Sequence, residues 1–142
     1  MTTNKKIFLV DDDPLFLKTL ELEFLNQAGF DVETYTTGEM CMASLSHTPD
    51  VIVLDYQLDG IDKTAMNGID TLDKIKAIHP ELPVVMLSSQ DKIEIAINCM
   101  HHRAFDYVVK SETAFVRLEK IIHNIVRYKK MELELNWYID RM

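Results

Sequence analysis

Several residue types are scarce in this chain of 142 residues. Glycine and proline are present at four residues each, and no low-complexity linker or repeat divides the chain. There are two cysteines, Cys41 and Cys99, which lie far apart and lack the short spacing of metal ligands. We expect buried, reduced thiols rather than a disulfide. The length fits one domain that is able to bury a substantial core.

Basic residues and long apolar runs are also scarce. The 15 Lys and Arg residues against 23 Asp and Glu residues give a formal net charge of -8, which argues against a nucleic-acid surface in this segment. The first apolar run, residues 7–10, stops at Asp11 and is too short for a signal peptide. No window approaches the roughly 18 apolar residues of a membrane span. We therefore expect a cytoplasmic protein that does not contact a membrane.

Short apolar runs alternate with longer amphipathic stretches, a pattern typical of a parallel sheet flanked by helices. Strands are predicted at residues 7–10, 31–35, 51–54, 84–87 and 107–109. Helices are predicted at residues 14–28, 38–46 and 68–79, then after a cap at Asp91, and from 113 to about 141. The prediction is a doubly wound, flavodoxin-like α/β domain with five parallel strands, order 2-1-3-4-5, and five helices of which the last is extended.

Polar side chains follow four of the predicted strands at the point where each strand ends. Asp11 and Asp12 follow the first strand, Asp55 the third, Ser88 the fourth and Lys110 the fifth. Parallel strands end at one edge of the sheet, and ligands bind there. If strands one and three are neighbours, the three carboxylates form an acidic pocket. Asp13, which precedes Pro14, is predicted to cap the first helix.

Three converging carboxylates raise one another's pKa unless a cation neutralises them. Mg²⁺ prefers oxygen ligands and retains several waters, so it suits Asp11, Asp12 and Asp55. A bound metal ion can bridge to a phosphoryl oxygen while Lys110 and Ser88 hold the other oxygens. Phosphoryl transfer depends mainly on positioning and charge neutralisation, which this set of residues provides.

Five stretches of the sequence, in order and suitably spaced, resemble the successive motifs of response-regulator receiver domains of two-component signalling, the CheY-like family. The resemblance covers roughly residues 5–126 and rests on residues 8–14, 51–55, 67–68, 82–89 and 106–110. It implies Mg²⁺ as the cofactor, with Asp12 and Asp55 as direct ligands, Asp11 acting through water, and the Gln57 backbone carbonyl completing the protein ligands.

The resemblance also implies a function. Asp55 would accept a phosphoryl group from a sensor histidine kinase or phosphotransfer protein, and Lys110 would contact that group. Ser88 and Tyr107 match the pair that reorients on phosphorylation to control an output partner. Gln57 and Gln90 would flank the path of the water that removes the phosphoryl group. The chain would not be an enzyme beyond this Mg-assisted self-phosphorylation and dephosphorylation.

Three features differ from the usual pattern of the family. Asp59 stands where a proline is usual, and the stretch from Asp55 to Asn67 is about five residues longer than typical. Ser111 follows Lys110 where the family normally has a proline preceded by a cis peptide bond. These differences concern the shape of the loops around the pocket, and none removes an acidic residue.

Two other functions remain open at this stage. Phosphohydrolases of the haloacid-dehalogenase type are similar in having an Asp-x-Asp after the first strand, which would make Asp11 the nucleophile with Asp13 beside it. They would require a further acidic pair after Lys110, and none follows. The second alternative is a receiver-like interaction module that is never phosphorylated. No output motif follows, so the sequence is read as a stand-alone receiver or part of a longer chain.

The C-terminal residues have no predicted sheet to cover. We expect a receiver domain at residues 1–128 and an extension of the last helix at 129–142, acting as a linker or forming a homodimer. Alternate steps of three and four residues predict a coiled-coil seam with one polar interruption at Glu132. This seam comprises Leu118, Ile121, Ile125, Tyr128, Glu132, Leu135, Ile139 and Met142. The alternative is that the extension folds back onto its own domain or frays.

Overall fold

Five parallel strands form one sheet in the order β2-β1-β3-β4-β5, in a computed structural model that describes residues 4–142. The strands are β1 Lys5–Val10, β2 Phe30–Tyr35, β3 Val51–Asp55, β4 Val84–Ser88 and β5 Asp106–Val109. Each connection between parallel strands carries a helix, as parallel pairing requires. The predicted flavodoxin-like fold and strand order are confirmed.

The helices are α1 Pro14–Leu25, α2 Gly38–Ala43, α3 Gly68–Ile78, α4 Ile93–His101 and α5 Ala114–Asp140, with a short 3₁₀ turn at Leu45–His47. The first helix is shorter than predicted because Asn26 closes it, and Gly29, with φ of 99°, turns the chain towards β2. The predicted cap at Asp91 is wrong, since Lys92 precedes α4 and no side chain caps that helix.

The central strands are buried on both faces, so their alternate side chains enter two separate cores. Side chains of β1, β3 and β4 pack against α1 and α5 on one face and against α2, α3 and α4 on the other. This explains why these strands are continuous apolar runs. Both cysteines lie buried and free in the second core, where burial raises the pKa of Cys41 to about 12 and that of Cys99 to about 11. The prediction of reduced thiols is confirmed.

The last helix packs on the sheet through Leu118, Ile122 and Ile125, as predicted. Leu118 is 0% exposed and Ile125 is 2% exposed, so these two residues cannot also belong to a seam with another chain. The predicted seam is wrong in this part, because the domain's own core covers it. Beyond residue 126 every residue of the helix is exposed, although Tyr128 and Glu132 still line a cavity of about 410 Å³ with Arg103 and Phe105 of the domain. No helix within residues 4–142 is long and apolar enough to cross a membrane.

The end of β3 and the start of α3 approach each other closely at Gly68. The Gly68 N–H donates to the Tyr56 carbonyl at 3.0 Å, and Asn67 caps α3 by accepting from the Asp70 N–H at 2.9 Å. A methyl group on Gly68 would overlap the Asp55 carbonyl oxygen and would lie 2.6 Å from that of Tyr56. The missing side chain therefore lets α3 begin directly against the strand end that carries Asp55.

Replacing Gly68 by alanine should destabilise the domain by about 1–3 kcal/mol, because backbone rather than a flexible side chain would have to move. Gly60→Ala is the matched control, since its added methyl group would meet the movable Asp12 carboxylate at 3.1 Å. Urea unfolding of both variants measures the difference. Equal loss of stability in the two variants would contradict the close approach at Gly68.

Candidate functional site

The acidic residues predicted to converge do so at the carboxyl edge of the sheet. Val10 pairs with Leu54 in the register of β1 and β3, so the residues that follow, Asp11 and Asp55, face each other. One carboxylate oxygen from each of Asp11, Asp12 and Asp55 lies within 4.8 Å of the others. Asp11 and Asp55 are buried, whereas Asp12 is half-buried. The sheet therefore places three negative charges in one small volume.

Lys110 supplies the positive charge that reaches this cluster. Its Nζ lies 2.7 Å from Asp11 Oδ2 and 3.5 Å from Asp55 Oδ2. The Lys110 N–H donates to the Ser88 carbonyl at 2.8 Å, which fixes the start of the loop. No peptide bond between the described residues is cis. Instead, the Ser111 hydroxyl accepts from the Thr113 N–H at 3.3 Å, so a side-chain turn shapes the loop at the position where the resemblance predicts a proline.

The charges in the cluster are not balanced. Burial and the Asp11 charge raise the pKa of Asp55 from 3.8 to about 8, although Lys110 and the Gln57 N–H act in the opposite direction. Burial lowers the pKa of Lys110, but its contacts with Asp11 and Asp55 outweigh burial and the net change is upward. One ammonium thus serves two buried carboxylates. The unmet negative charge is what a cation would neutralise.

The donor atoms fit a hard divalent cation. Asp11 Oδ1 accepts from the Asp13 N–H at 2.9 Å. Asp11 Oδ2 is buried and accepts no well-aligned hydrogen bond within residues 4–142, although the Lys110 ammonium is close to it. Carboxylate oxygens in a cluster of this size suit Mg²⁺. The Gln57 carbonyl as a further ligand stays a prediction. Asp13 caps α1 as expected, accepting from the Leu15 N–H at 3.0 Å.

A contact that the sequence did not reveal ties Asp12 to the long loop after β3. Asp12 Oδ2 accepts from the Gly60 and Ile61 N–H groups at 3.1 and 3.2 Å. Further along, Glu39 Oε2 accepts from the Met66 N–H at 3.0 Å. The loop after β3 is therefore attached to the acidic cluster at Asp12 and to α2 at Glu39. Backbone N–H groups are present at almost every residue, so no sequence signal could have identified these donors.

The two predicted switch residues meet at Gln90. Ser88 is buried, and its hydroxyl oxygen accepts from the Gln90 N–H at 3.0 Å. The Tyr107 hydroxyl donates to the Gln90 carbonyl. A cavity of about 460 Å³ opens beside them, lined among others by Gln57, Asp59 and Gln90. The sequence placed Ser88, Tyr107 and Gln90 near the site, but not the hydrogen bonds that join them.

Comparison with known proteins identifies the family. A family model for the response regulator receiver domain matches residues 7–123. This chain belongs to that family. It is 31% identical over 117 residues to the regulatory protein LuxO of Vibrio vulnificus strain YJ016, a match that covers 82% of this chain and 24% of LuxO. The chain thus spans about a quarter of the length of that relative.

Solved structures agree with this assignment. The receiver domain of NtrX from Brucella abortus is 30% identical, with a TM-score of 0.73 over 85% of this chain and 98% of that chain. A longer NtrX structure is 28% identical, with a TM-score of 0.82 over 99% of this chain and 31% of that chain. The family match speaks against the phosphohydrolase alternative, which required Asp11 as the nucleophile.

The raised pKa of Asp55 predicts how stability depends on pH without metal. A group whose pKa is higher in the folded than in the unfolded state makes its full contribution to the stability of the folded chain below its unfolded pKa, which is 3.8 for Asp55. That contribution is lost as the pH rises through the folded value of about 8. In EDTA, Asp55→Asn should therefore gain stability relative to wild type between about pH 5 and pH 8, by roughly 1 kcal/mol or more, since one pKa unit corresponds to about 1.4 kcal/mol.

Urea unfolding across this pH range measures the gap between the two proteins. Asp13→Asn is the control, because Asp13 is exposed, lies outside the cluster and is replaced by an equally good cap. Curves for wild type and Asp55→Asn that run parallel with pH would show that Asp55 titrates normally.

Proposed function

We propose that the chain is the phosphoacceptor of a cytoplasmic two-component phosphorelay, and that Asp55 receives the phosphoryl group from a histidine kinase or phosphotransfer protein. The observation that carries the proposal is the convergence of Asp55 with Asp11, Asp12 and Lys110 at the edge of the sheet. This arrangement combines a carboxylate nucleophile with the oxygen ligands and the cation that phosphoryl transfer requires.

Asp55 suits the role of nucleophile better than its neighbours do. Both oxygens of Asp11 are close to partners, the Asp13 N–H and the Lys110 ammonium, and Asp12 Oδ2 accepts from two loop N–H groups. Asp55 has only longer contacts, 3.3 Å from Oδ1 to the Gln57 N–H and 3.5 Å from Oδ2 to Lys110. An oxygen with weak hydrogen bonds retains more of its electron density for attack.

The chemistry divides between Asp55 and the groups around it. An Asp55 oxygen attacks phosphorus while the bond to the donor's imidazole nitrogen breaks and its electron pair stays on that ring. Lys110 would neutralise one phosphoryl oxygen, and the Ser88 hydroxyl would donate to another. Mg²⁺, when bound by Asp11, Asp12 and Asp55, neutralises the remaining negative charge. Water later hydrolyses the acyl phosphate, and the chain needs no substrate beyond the phosphodonor.

The response to phosphorylation would begin at Ser88. Its oxygen accepts from the Gln90 N–H, which leaves its hydroxyl hydrogen free to donate to a phosphoryl oxygen on Asp55. A shift of Ser88 towards that group would strain its bond with Gln90, and the Gln90 carbonyl in turn holds the Tyr107 hydroxyl. We propose that this three-residue link changes the surface that an output partner contacts.

Incubation with acetyl phosphate and Mg²⁺ should add one phosphoryl group to the wild-type chain. Asp55→Asn should abolish this addition, because a neutral amide does not attack phosphorus. Asp13→Asn is the matched control and should label like wild type. Intact-mass spectrometry gives the readout. Labelling of Asp55→Asn at the wild-type level would refute the assignment, and no labelling of the wild type would favour the unphosphorylated interaction module.

Mg²⁺ should stabilise the folded chain by binding it in preference to the unfolded chain. At ten times the dissociation constant the gain is about 1.4 kcal/mol, which raises the melting temperature by a few degrees for a domain of this size. Asp12→Ala should remove most of the gain, whereas Asp13→Asn should keep it. Thermal unfolding with and without Mg²⁺ measures this. A full gain in Asp12→Ala would place the metal elsewhere.

A further inference from the structure

The extension of α5 is a surface that the domain leaves uncovered. The buried residues of this helix end at Ile125, and residues 127–142 are all exposed, although eight of the last fifteen carry large apolar side chains. The alternative in which this segment folds back onto its own domain is not observed. Exposed apolar side chains at this density indicate an interface.

The apolar residues concentrate on one side of the extension. Steps of three, four, three and four residues, the spacing of a coiled-coil seam, connect five exposed residues: Tyr128, Met131, Leu135, Tyr138 and Met142. At about 100° per residue, this side lies about 110° around the helix from the face that Leu118 and Ile125 pack on the sheet. The domain therefore does not obstruct it, unlike the seam predicted from sequence.

The structure also shows where this new seam begins. Upstream on the same side of the helix lie Arg117, Lys120 and Asn124, which are polar. The first apolar residue, Tyr128, is positioned against the domain by the Phe105 ring, with the ring centroids 6.3 Å apart. The seam thus starts where the core of the domain ends, and it extends for two heptads.

Charge complementarity identifies the occupant of this surface as a second copy of the chain. With Leu135 at heptad position a, Arg127 falls at position g and Glu132 at position e, beside the seam rather than within it. In a parallel pair, position g of one helix faces the next position e of the other. Arg127 of each copy then faces Glu132 of the other, which forms two opposite-charge pairs. An antiparallel pair would not bring these residues together.

We propose that residues 127–142 form a parallel two-stranded coiled coil between two copies of this chain. The seam contains no residue of the acidic cluster, so it can form whether or not Asp55 is phosphorylated, and this inference is independent of the proposed phosphoacceptor function. Glu132, which interrupted the seam predicted from sequence, now contributes to pairing and to the relative direction of the helices.

Sedimentation of the intact chain over a range of concentrations tests the proposal. The wild type should show a monomer–dimer equilibrium, and Leu135→Glu should raise the dissociation constant at least about tenfold, because it places a charge in the seam. Leu133→Glu is the matched control and should not change it. Both leucines are exposed, 60% at Leu135 and 71% at Leu133, but Leu133 points away from the seam.

Three outcomes would overturn the proposal. If the wild type stays monomeric at its highest soluble concentration, the proposed dimer is wrong, and another partner or another segment covers the apolar side of the helix. A Leu135→Glu variant that still dimerises, or a Leu133→Glu variant that dissociates equally, would place the contact elsewhere. Circular dichroism of each variant confirms that the helix is intact.

Charge reversal tests the direction of the two helices. Arg127→Glu and Glu132→Arg should each weaken dimerisation, because like charges then face each other, and the double variant should restore it. An antiparallel dimer would show no such restoration. Single reversals without effect on the dissociation constant would reject the parallel register even if the chain dimerised.

Discussion

The repulsion between two buried carboxylates that share one ammonium is the interaction on which the rest of the site depends. Asp11 and Asp55 face each other because β1 and β3 are neighbours, and Lys110 contacts Asp11 more closely than Asp55. The resulting surplus of negative charge raises the pKa of Asp55 to about 8. This surplus costs stability in the absence of a cation. It would also favour the binding of a divalent cation, which would remove the repulsion and leave Asp55 ionised.

The remainder of the fold holds that repulsion in place. Strands β3 and β4 are buried along their whole length, so Asp55 and Ser88 extend from rigid elements rather than from mobile loops. The absence of a side chain at Gly68 lets α3 begin against the carbonyl groups of Asp55 and Tyr56, which limits how far the strand end can move. This placement on packed strands suits the proposed phosphoryl transfer, since most of the catalysis of that reaction comes from positioning.

Much of the fold and the site could be predicted from the sequence, because both follow from periodicity and strand ends. Asp55 was assigned to the site because an apolar run ended there. The contact of Asp12 with the Gly60 N–H was not predicted, because a backbone donor has no residue signature. The predicted seam failed for a different reason. Two registers in the last helix share the same three-four spacing and have Tyr128, Leu135 and Met142 in common. The burial of Leu118 and Ile125 shows that the predicted register, which runs through the sheet-facing side, is not available along its whole length.

The acidic cluster and the extension of α5 are connected through β5, and the size of that connection limits how strongly one can control the other. Tyr107 contacts Gln90 near the site, and Phe105, two residues earlier, contacts Tyr128 where the seam begins.

A chain of neighbouring residues does not by itself establish energetic coupling between the acidic cluster and the seam. Coupling requires a contact that differs between two states of the protein. Among the described residues, the Phe105–Tyr128 pair is the only aromatic contact between β5 and the extension of α5. Such a pair contributes about 0.5–1.5 kcal/mol beyond the free energy of its buried area. In the proposed dimer, phosphorylation acting through this contact alone would change the dissociation constant by no more than about tenfold for each copy, since 1.4 kcal/mol corresponds to a factor of ten. In the proposed dimer the apolar seam would then determine whether two chains associate, and phosphorylation of Asp55 would only adjust the extent.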